Sequence, residues 1–336
     1  MKLPNTIGRV SSPSALSGAE SLRSETSSLS PSEALSPGYS RRGIKMKIGI
    51  TGATGFMGRH IINKLQGEGH SISVLAIEEK PTLPKDIKWV HGNLVSGVGI
   101  AKFLKDVEVV IHLAGRNLPP EEELIKDNVL ATRNLVIEML KHPIKQLIFT
   151  SSVAVYGKDK KSKFKETDEC FPNTEYGLTK YLAEKEVQYW VTKTGNPATI
   201  FRPFNVYGPG NSKGIIYTFY SNIKNDGKVI IYGDGKQERD YLYVGDIVEA
   251  FSTAIRIKKR GIFNLGAAKK YSVLEVLEVF KKVMRRDIEV DFTSTEEGKV
   301  FNINQDLSLA KKELKWEAKT SFEKGLRKTI EWYEKQ

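Results

Sequence analysis

The sequence predicts an α/β fold, in which helices cover both faces of a parallel β-sheet. From residue 46 onwards, short apolar runs alternate with stretches of helical periodicity, which is typical of strand–helix–strand units. A glycine-rich turn joins the first apolar run to the first helical stretch. Because such units cross over with a right hand, we expect a doubly wound sheet. The chain has 336 residues, of which 40% are hydrophobic, enough for a sizeable core.

The predicted strands and helices alternate along the first half of the chain. Five apolar runs are predicted as strands, at 47–51, 70–77, 88–90, 107–113 and 145–151. Two stretches with helical spacing are predicted as helices, at 59–66 and 122–141.

The composition excludes several classes of protein. Lys and Arg number 52 against 40 Asp and Glu, which gives a net charge of +12. The lysines are scattered and are not interleaved with aromatic residues, so we expect no nucleic-acid partner. The single cysteine, Cys170, excludes an internal disulfide framework and a four-cysteine zinc site, and no metal is predicted. Apolar runs fall short of the roughly 20 residues that span a bilayer, so we expect a soluble, cytoplasmic protein that does not bind membranes.

Residues 1–43 differ in composition from the rest of the chain. They contain twelve serines and four prolines. Such a segment buries too little apolar surface to offset the entropy lost on ordering. We predict a disordered tail and assign it no function.

A glycine-rich loop follows the first strand and reads Thr-Gly-Ala-Thr-Gly-Phe-Met-Gly. Its glycines, Gly52, Gly55 and Gly58, are spaced by three and three, whereas the common dinucleotide fingerprint has two and three. The physical requirements are similar: a tight turn, close approach of backbone N–H groups to a pyrophosphate, and close packing of helix on strand. The helix begins near Phe56 and Met57, and its positive dipole end faces the phosphates. We therefore predict that this loop binds a dinucleotide.

The choice of dinucleotide depends on an acidic residue about 20 positions further on, which binds the adenosine ribose of NAD. Glu78 lies 20 residues after Gly58 and beside Glu79, although the apolar run itself ends at Ala76. No arginine lies near these positions in the sequence to bind the 2′-phosphate of NADP. NAD is therefore favoured, and NADP stays open.

Tyr176 and Lys180 are four residues apart, so they share one face of a helix. A phenol with a pKa of about 10 is a poor base at neutral pH, but a neighbouring ammonium favours the phenolate. We predict Tyr176 as a proton shuttle and Lys180 as the residue that tunes it. The strand at 145–151 ends in serines, and ligands bind at the carboxyl ends of such strands. A serine hydroxyl there would reach the same substrate oxygen.

Together these segments resemble the extended short-chain dehydrogenase/reductase superfamily, specifically its NAD-dependent nucleotide-sugar epimerase/dehydratase family (UDP-glucose 4-epimerase-like). The glycine loop, the strand end Thr-Ser-Ser-Val-Ala-Val-Tyr-Gly and the sequence Tyr-Gly-Leu-Thr-Lys carry the likeness. It continues in family order through HLAG at 112–115, NVLATRNL at 128–135, RPFNVYGPG at 202–210, GDGKQERDYLYVGD at 233–246, FNLG at 263–266 and DLSLAKKEL at 306–314.

The resemblance implies a Rossmann sheet with a smaller, discontinuous C-terminal substrate-binding domain. The NAD(P)-binding domain would cover 46–203 together with 229–265. The substrate-binding domain would cover 204–228 together with 266–336. A homodimer is also implied.

For the site, the resemblance implies Ser152 as the hydroxyl partner of Tyr176 and Lys180. It implies that Asn205 and Arg239 contact the diphosphate and the nucleotide of the substrate, and a guanidinium fork suits phosphate oxygens. The other cofactor-binding residues that it implies, besides the loop, Glu78, Tyr176 and Lys180, are Asn93, Leu94 and Ala114.

Three departures from the family pattern bear on the reaction. Dehydratases carry Asp-Glu directly after the catalytic hydroxyl, and decarboxylating members keep the glutamate, whereas this chain has Val153 and Ala154. Dehydration therefore lacks its acid and its base. The Arg-Pro-Gly-Asp segment of the family is replaced by Glu-Glu-Gly-Lys at 296–299, so that phosphate contact is lost or left to Lys299. The acidic residue near the adenine is replaced by Asn93.

We therefore expect an NAD(P)-dependent epimerase that acts on a nucleotide-diphosphate sugar through a 4-keto intermediate. A 4-ketosugar reductase would use the same residues and stays open. A reductase of steroid-like or flavonoid-like carbonyls would not need the segment 233–240. A non-catalytic nucleotide-binding protein is disfavoured by the intact set of Ser152, Tyr176 and Lys180.

Overall fold

The computed structural model describes residues 45–118, 120–157, 163–294 and 304–336. The tail predicted at 1–43 and the segment 296–299 lie outside these ranges. The strands are β1 Lys47–Thr51, β2 Ser71–Ala76, β3 Lys88–His91, β4 Val109–His112, β5 Gln146–Thr150, β6 Ala198–Pro203, β7 Asn205–Tyr207, β8 Lys228–Tyr232, β9 Glu238–Tyr243, β10 Gly261–Leu265, β11 Lys270–Ser272 and β12 Glu289–Thr293. The α-helices are α1 Phe56–Gly67, α2 Ile100–Leu104, α3 Glu121–Leu124, α4 Ala131–Met139, α5 Glu175–Thr194, α6 Gly214–Asp226, α7 Val244–Ile257, α8 Val273–Met284 and α9 Phe322–Tyr333.

Seven strands form one parallel sheet in the order β10-β6-β5-β4-β1-β2-β3. The order reverses between β1 and β4, which is where an open α/β sheet forms a ligand-binding crevice at its carboxyl edge. The doubly wound sheet predicted from the sequence is confirmed.

The core lies on both faces of this sheet because successive strand residues point to opposite sides. Ile111 and Ile148 pack in the cluster formed with α1 and α7. Their neighbours Val110 and Phe149 pack in the cluster formed with α4 and α5. The second face matters for function, since α5 carries the predicted tyrosine and lysine.

The helix predicted at 122–141 contains an irregular turn. Helix α3 continues through a wider, π-type turn at Ile125–Leu130 and then into α4. Such turns are often found at functional sites. This one carries Asn128, which is buried.

The C-terminal half adds two small sheets, one in the order β11-β9-β7 and one that pairs β12 with β8. The segment 229–265 is therefore shared between sheets: β10 joins the large sheet, whereas β8 and β9 do not. A third apolar cluster joins these strands to α6, α8 and α9. The domain boundaries given above stay a prediction.

Within the described ranges, no helix combines the length and the apolar composition that a membrane span requires. The same ranges hold no group of three or more His, Cys, Asp or Glu side chains arranged to bind a metal ion.

Candidate active site

The glycine loop lies between β1 and α1, at the carboxyl edge of the large sheet. Gly52 has a φ of +70°, and a Cβ there would lie 2.5 Å from the backbone nitrogen of Ala114. A Cβ on Gly58 would lie 2.4 Å from the carbonyl oxygen of Gly52 and 2.5 Å from the Cα of Ala53. Both glycines are therefore required by the close packing of loop, helix and strand.

Gly55 is placed differently. It precedes α1 with a φ of −73° and a ψ of 174°, which any residue can adopt. Its Cβ would approach the carbonyl oxygen of Gly52 at 3.3 Å, and the residue is exposed. As the N-cap residue, Gly55 has no side chain with which to cap the N–H groups of Phe56 and Met57. The helix end is therefore open to an anion such as a pyrophosphate.

The other predicted cofactor-binding residues follow neighbouring strands. Glu78 is exposed after β2, Leu94 is buried after β3, and Ala114 packs on the glycine loop after β4. The Asn93 side chain accepts the N–H of Val95 at 2.7 Å, so its carboxamide oxygen is used within its own loop. These loops lie along one edge of the sheet, and their role in binding NAD stays a prediction.

Ser152 and Tyr176 are brought together by β5 and α5. The Oγ of Ser152 accepts the N–H of Ala154 at 3.2 Å. Tyr176 lies in the first turn of α5, where the Thr174 side chain caps the helix by accepting the N–H of Gly177. Burial raises the pKa of the Tyr176 phenol, and a hydrogen bond with the Ser152 side chain opposes that rise. The phenol is thus paired with a hydroxyl that stabilises its ionised form.

Lys180 lies one turn further along α5, with 5% of its surface exposed. Its Nζ lies 4.4 Å from the centre of the Phe149 ring. Burial lowers the pKa of Lys180 to about 8, and the negative charge of Glu184 opposes this decrease. An ammonium in this position favours the phenolate of Tyr176. The structure therefore places all three predicted catalytic residues in one site.

Asn128 supports this site and was not predicted from the sequence. Its Nδ2 donates to Thr179 Oγ1 and to the carbonyl oxygen of Arg116, each at 2.9 Å. Its Oδ1 accepts the N–H of Arg116 at 2.8 Å. A Cβ on Gly115 would lie 2.5 Å from that Oδ1 and 3.8 Å from the Nζ of Lys180. Asn128 thus fixes the loop after β4 beside the lysine. The segment NVLATRNL carried the only sequence signal for it.

His112 lies close to Lys180 and belongs to a buried group of polar side chains that are hydrogen-bonded to one another. Its Nδ1 is 2.7 Å from Thr51 Oγ1, and its Nε2 is 2.9 Å from Thr132 Oγ1. Burial, together with a smaller effect of the charge on Lys180, lowers the pKa of His112 to about 3. The imidazole is therefore neutral at physiological pH and serves to join β1, β4 and α4.

Asn205 and Arg239 line the same cavity, which has a volume of about 410 Å³. Apolar side chains of α6 and β8, including Phe219 and Tyr232, form its other walls. Tyr241 also lines this cavity, and its hydroxyl is buried without a hydrogen-bond partner among the described residues. Tyr241 was not predicted, although it lies two residues after Arg239.

Comparison with known proteins identifies the family. The model of the NAD dependent epimerase/dehydratase family matches residues 48–266. The chain belongs to this family. A putative UDP-glucose 4-epimerase from Methanocaldococcus jannaschii is 31% identical over 297 residues, which cover 84% of this chain and 97% of that protein.

Two solved structures are similar to this member of the family. The UDP-glucose 4-epimerase of Thermotoga maritima with UDP-glucose is 28% identical, with a TM-score of 0.80, and the match covers 86% of this chain and 99% of that one. MoeE5 in complex with UDP-glucuronic acid and NAD is 28% identical, with a TM-score of 0.78 and the same coverage. The resemblance inferred from the motifs is confirmed.

This member of the epimerase/dehydratase family has no carboxylate directly after Ser152, the hydroxyl residue predicted to be catalytic. Val153 is buried and Ala154 partly buried in the short turn Val153–Tyr156. Neither side chain can donate or accept a proton. The predicted set of Ser152, Tyr176 and Lys180 is therefore not accompanied by a carboxylate at these two positions.

Proposed function

We propose that this chain is an NAD-dependent epimerase that inverts C4 of a nucleotide-diphosphate sugar through a 4-keto intermediate. The observation that carries the proposal is the arrangement of Ser152, Tyr176 and Lys180 at the carboxyl edge of the sheet. The cavity with Asn205 and Arg239 supports a diphosphate-linked substrate. The similarity to UDP-glucose 4-epimerases supports the same conclusion.

The glycine loop fits NAD, because Gly55 is exposed at the N-terminus of α1 and no side chain caps the N–H groups there. NAD, when bound, supplies hydride acceptance and return at C4. The chain itself supplies proton transfer and positioning. Tyr176 Oη takes the proton of the 4-hydroxyl as the carbonyl forms, and returns it when the carbonyl is reduced on its opposite face.

Two neighbouring side chains assist the tyrosine. The Ser152 hydroxyl has its oxygen occupied by the N–H of Ala154, so its hydrogen is free to be donated to the phenolate or to the sugar oxygen. The Lys180 ammonium stabilises negative charge on Tyr176. Tyr176, assisted by these two side chains, therefore holds the proton during the interval in which the sugar is a ketone.

The substrate's diphosphate suits the polar part of the cavity. Arg239 lines this part of the cavity and offers a guanidinium fork to phosphate oxygens. The Asn205 side chain donates to the carbonyl oxygen of Asp240 at 3.3 Å and so lies beside the same strand. These contacts hold the nucleotide while the sugar remains free to present either face to the nicotinamide.

The experiment offers the purified protein UDP-, GDP- and dTDP-hexoses and identifies the products by chromatography and NMR. The expected product is the 4-epimer of one or more of them, without a 4-keto-6-deoxy sugar. Accumulation of the 4-keto-6-deoxy sugar would contradict the proposal. Reduction of a supplied 4-ketosugar, without any epimerisation, would assign the same site to a reductase.

We also propose that the chain forms a homodimer through the exposed side of α4 and α5. Arg133 Nη1 donates to Glu186 Oε2 at 3.0 Å, so the outer faces of the two helices are joined into one surface. Large exposed apolar side chains on a common face are typical of interfaces. On this surface, the large exposed apolar side chains are Leu130, Ile137, Leu178 and Leu182. A second copy of the chain would cover them.

A further inference from the structure

A buried ion pair lies directly behind the candidate catalytic residues. Glu184 on α5 has no exposed surface, and Arg202 on β6 is 2% exposed. Arg202 Nε donates to Glu184 Oε1 at 2.9 Å, and Nη2 donates to Oε2 at 2.7 Å. The hydroxyl of Ser151 donates to the same Oε1 at 2.5 Å. The carboxylate is thus held by three donors in a site closed to water.

These bonds join the three chain segments that carry the site. Ser151 immediately precedes Ser152 at the end of β5. Glu184 lies one turn after Lys180 on α5, and two turns after Tyr176. Arg202 is on β6, three residues before Asn205. A shift of the carboxylate would therefore move the serine, the tyrosine–lysine pair and the start of the substrate cavity relative to one another.

A contribution to fold stability is by itself a weak explanation for the presence of the ion pair between Glu184 and Arg202. Removing two charges from water costs more than most buried ion pairs return, and apolar side chains of similar volume often stabilise a protein equally well. A buried carboxylate is, however, well suited to act on a second cation nearby. Lys180 is that cation, because it lies one turn before Glu184 on α5 and is likewise buried, and the charge of Glu184 favours its protonated form.

We propose that Glu184 is a positioning residue that keeps Lys180 charged and thereby sets the pH range in which Tyr176 and Lys180 work. This inference rests on the catalytic role given to Lys180 in the proposed function. Glu184 acts through the lysine, without contact with the substrate. Arg202 and Ser151 fix the carboxylate at the distance from which it acts.

The other charged and titratable groups around Lys180 do not replace Glu184. His112 on β4 is neutral at physiological pH, because burial lowers its pKa to about 3. Burial raises the pKa of Tyr176 on the same helix, so the phenolate that the reaction requires forms only with the help of Lys180 and does not replace Glu184. Arg202 on β6 is a cation, so it opposes a charge on the lysine. In the loop after β4, Arg116 is paired with Asp127 at 2.7 Å. Glu184 is left as the anion that favours the ammonium.

The test compares Glu184→Gln with Glu186→Gln in the NAD-loaded protein. Both changes remove one negative charge from α5, but Glu186 pairs with the exposed Arg133. The titration of Lys180 is followed by NMR of lysines labelled at Cε, and its signal is assigned by its loss in Lys180→Arg. We expect the midpoint to fall by about one pH unit in Glu184→Gln, the lower end of the effect of an adjacent charge, and to stay unchanged in Glu186→Gln.

A second variant controls for misfolding, because Glu184→Gln leaves Arg202 buried and unpaired. In Glu184→Gln/Arg202→Met both charges are removed and no buried cation is left without a partner. The proposal requires the midpoint of Lys180 to fall in this variant too. An unchanged midpoint would overturn it and leave Glu184 with a purely structural role.

The titration requires no sugar substrate, so its result is independent of the reaction assigned to the site. With an active substrate, the decrease in kcat/KM at alkaline pH is expected to begin at lower pH in Glu184→Gln by the same shift. A uniform decrease at every pH, with an unshifted midpoint, would contradict the proposal. Failure of all sugars to react, with a shifted lysine, would instead count against the epimerase activity.

Discussion

Ser152 and Tyr176 lie on different elements, and the nearby Ser152 hydroxyl opposes the rise that burial causes in the pKa of the Tyr176 phenol. The contact depends on Gly177, the residue next to the tyrosine, because a Cβ there would lie 2.4 Å from the carbonyl oxygen of Ala154. Glycine therefore lets the first turn of α5 approach the serine turn. This close approach is what converts a tyrosine on a helix into a candidate acid–base group.

Tyr176→Phe is expected to reduce 4-epimerisation by about 100-fold or more, because phenylalanine fills the same space but has no proton to transfer. The measurement is the rate of interconversion of UDP-glucose and UDP-galactose, or of whichever pair proves active. Tyr181→Phe is the matched control, since Tyr181 lies on the same helix beyond Lys180 and contacts Lys185. Equal activity in Tyr176→Phe and wild type would remove Tyr176 from the catalytic role.

The fold was predictable to the extent that buried strands appear as apolar runs. The run at 107–113 contains β4, and the run at 145–151 contains β5. The small sheets were not predicted, because strands such as β11 have three residues and pair with partners far away in the chain. Periodicity is weak over so few residues.

The candidate site was predictable where one residue type at one spacing has a clear chemical role, as for Tyr176 and Lys180. The residues that support the site could not be predicted in this way. Asn128 reaches the site through a wide helical turn that has no signature in hydrophobic periodicity. His112 and Glu184 look like ordinary polar residues in the sequence, and only the packing of strands and helices shows them to be buried beside the lysine.

Gly55→Val is expected to abolish NAD binding, because its side chain would enter the region before α1 where we place the pyrophosphate. The free energy of unfolding should change by only about 1 kcal/mol, because Gly55 is exposed, has an ordinary backbone conformation, and its Cβ would meet only the Gly52 carbonyl oxygen at 3.3 Å. Gly58→Ala should behave differently. Its Cβ would overlap backbone atoms, so it should lose about 1–3 kcal/mol of stability. Fluorescence titration with NADH and chemical denaturation separate the two effects. Normal NADH affinity in Gly55→Val would contradict the assignment of the loop.

Arg239→Ala is expected to weaken the binding of UDP by about 10- to 100-fold, the range for a lost hydrogen bond to a charged group. The affinity for NAD should not change, because Arg239 lines the cavity on the other side of the site. Calorimetry with each ligand measures both. Lys236→Ala is the control, since this lysine has 80% of its side chain exposed and pairs with Asp234. Equal UDP affinity in Arg239→Ala would exclude the residue from the substrate site.

Leu182→Arg is expected to convert the proposed homodimer into monomers, because it places a charge in the middle of the apolar surface on α4 and α5. Sedimentation velocity at several protein concentrations gives the mass. Ile257→Arg is the control, since Ile257 is equally exposed but lies at the end of α7, on the other face of the sheet. A monomeric wild type, or a dimeric Leu182→Arg, would show that this surface is not the interface.

His112 should make the stability of the protein depend on pH. Its pKa is about 3 in the folded protein and about 6.5 in the unfolded chain, so only the unfolded chain binds a proton between these values. The stabilisation is complete above pH 6.5 and decreases as the pH falls towards 3.

Between pH 7 and pH 5, the group should contribute a loss of about 2 kcal/mol in the free energy of unfolding. His112→Gln removes the titrating group but keeps an amide that can hydrogen-bond to Thr51 and Thr132. Urea denaturation at pH 7, 6 and 5 should therefore show a smaller loss with acid in His112→Gln than in wild type. The protein's other histidines titrate alike in both and cancel in the comparison. Parallel acid dependence in the two proteins would mean that His112 accepts a proton in the folded state as readily as in the unfolded chain.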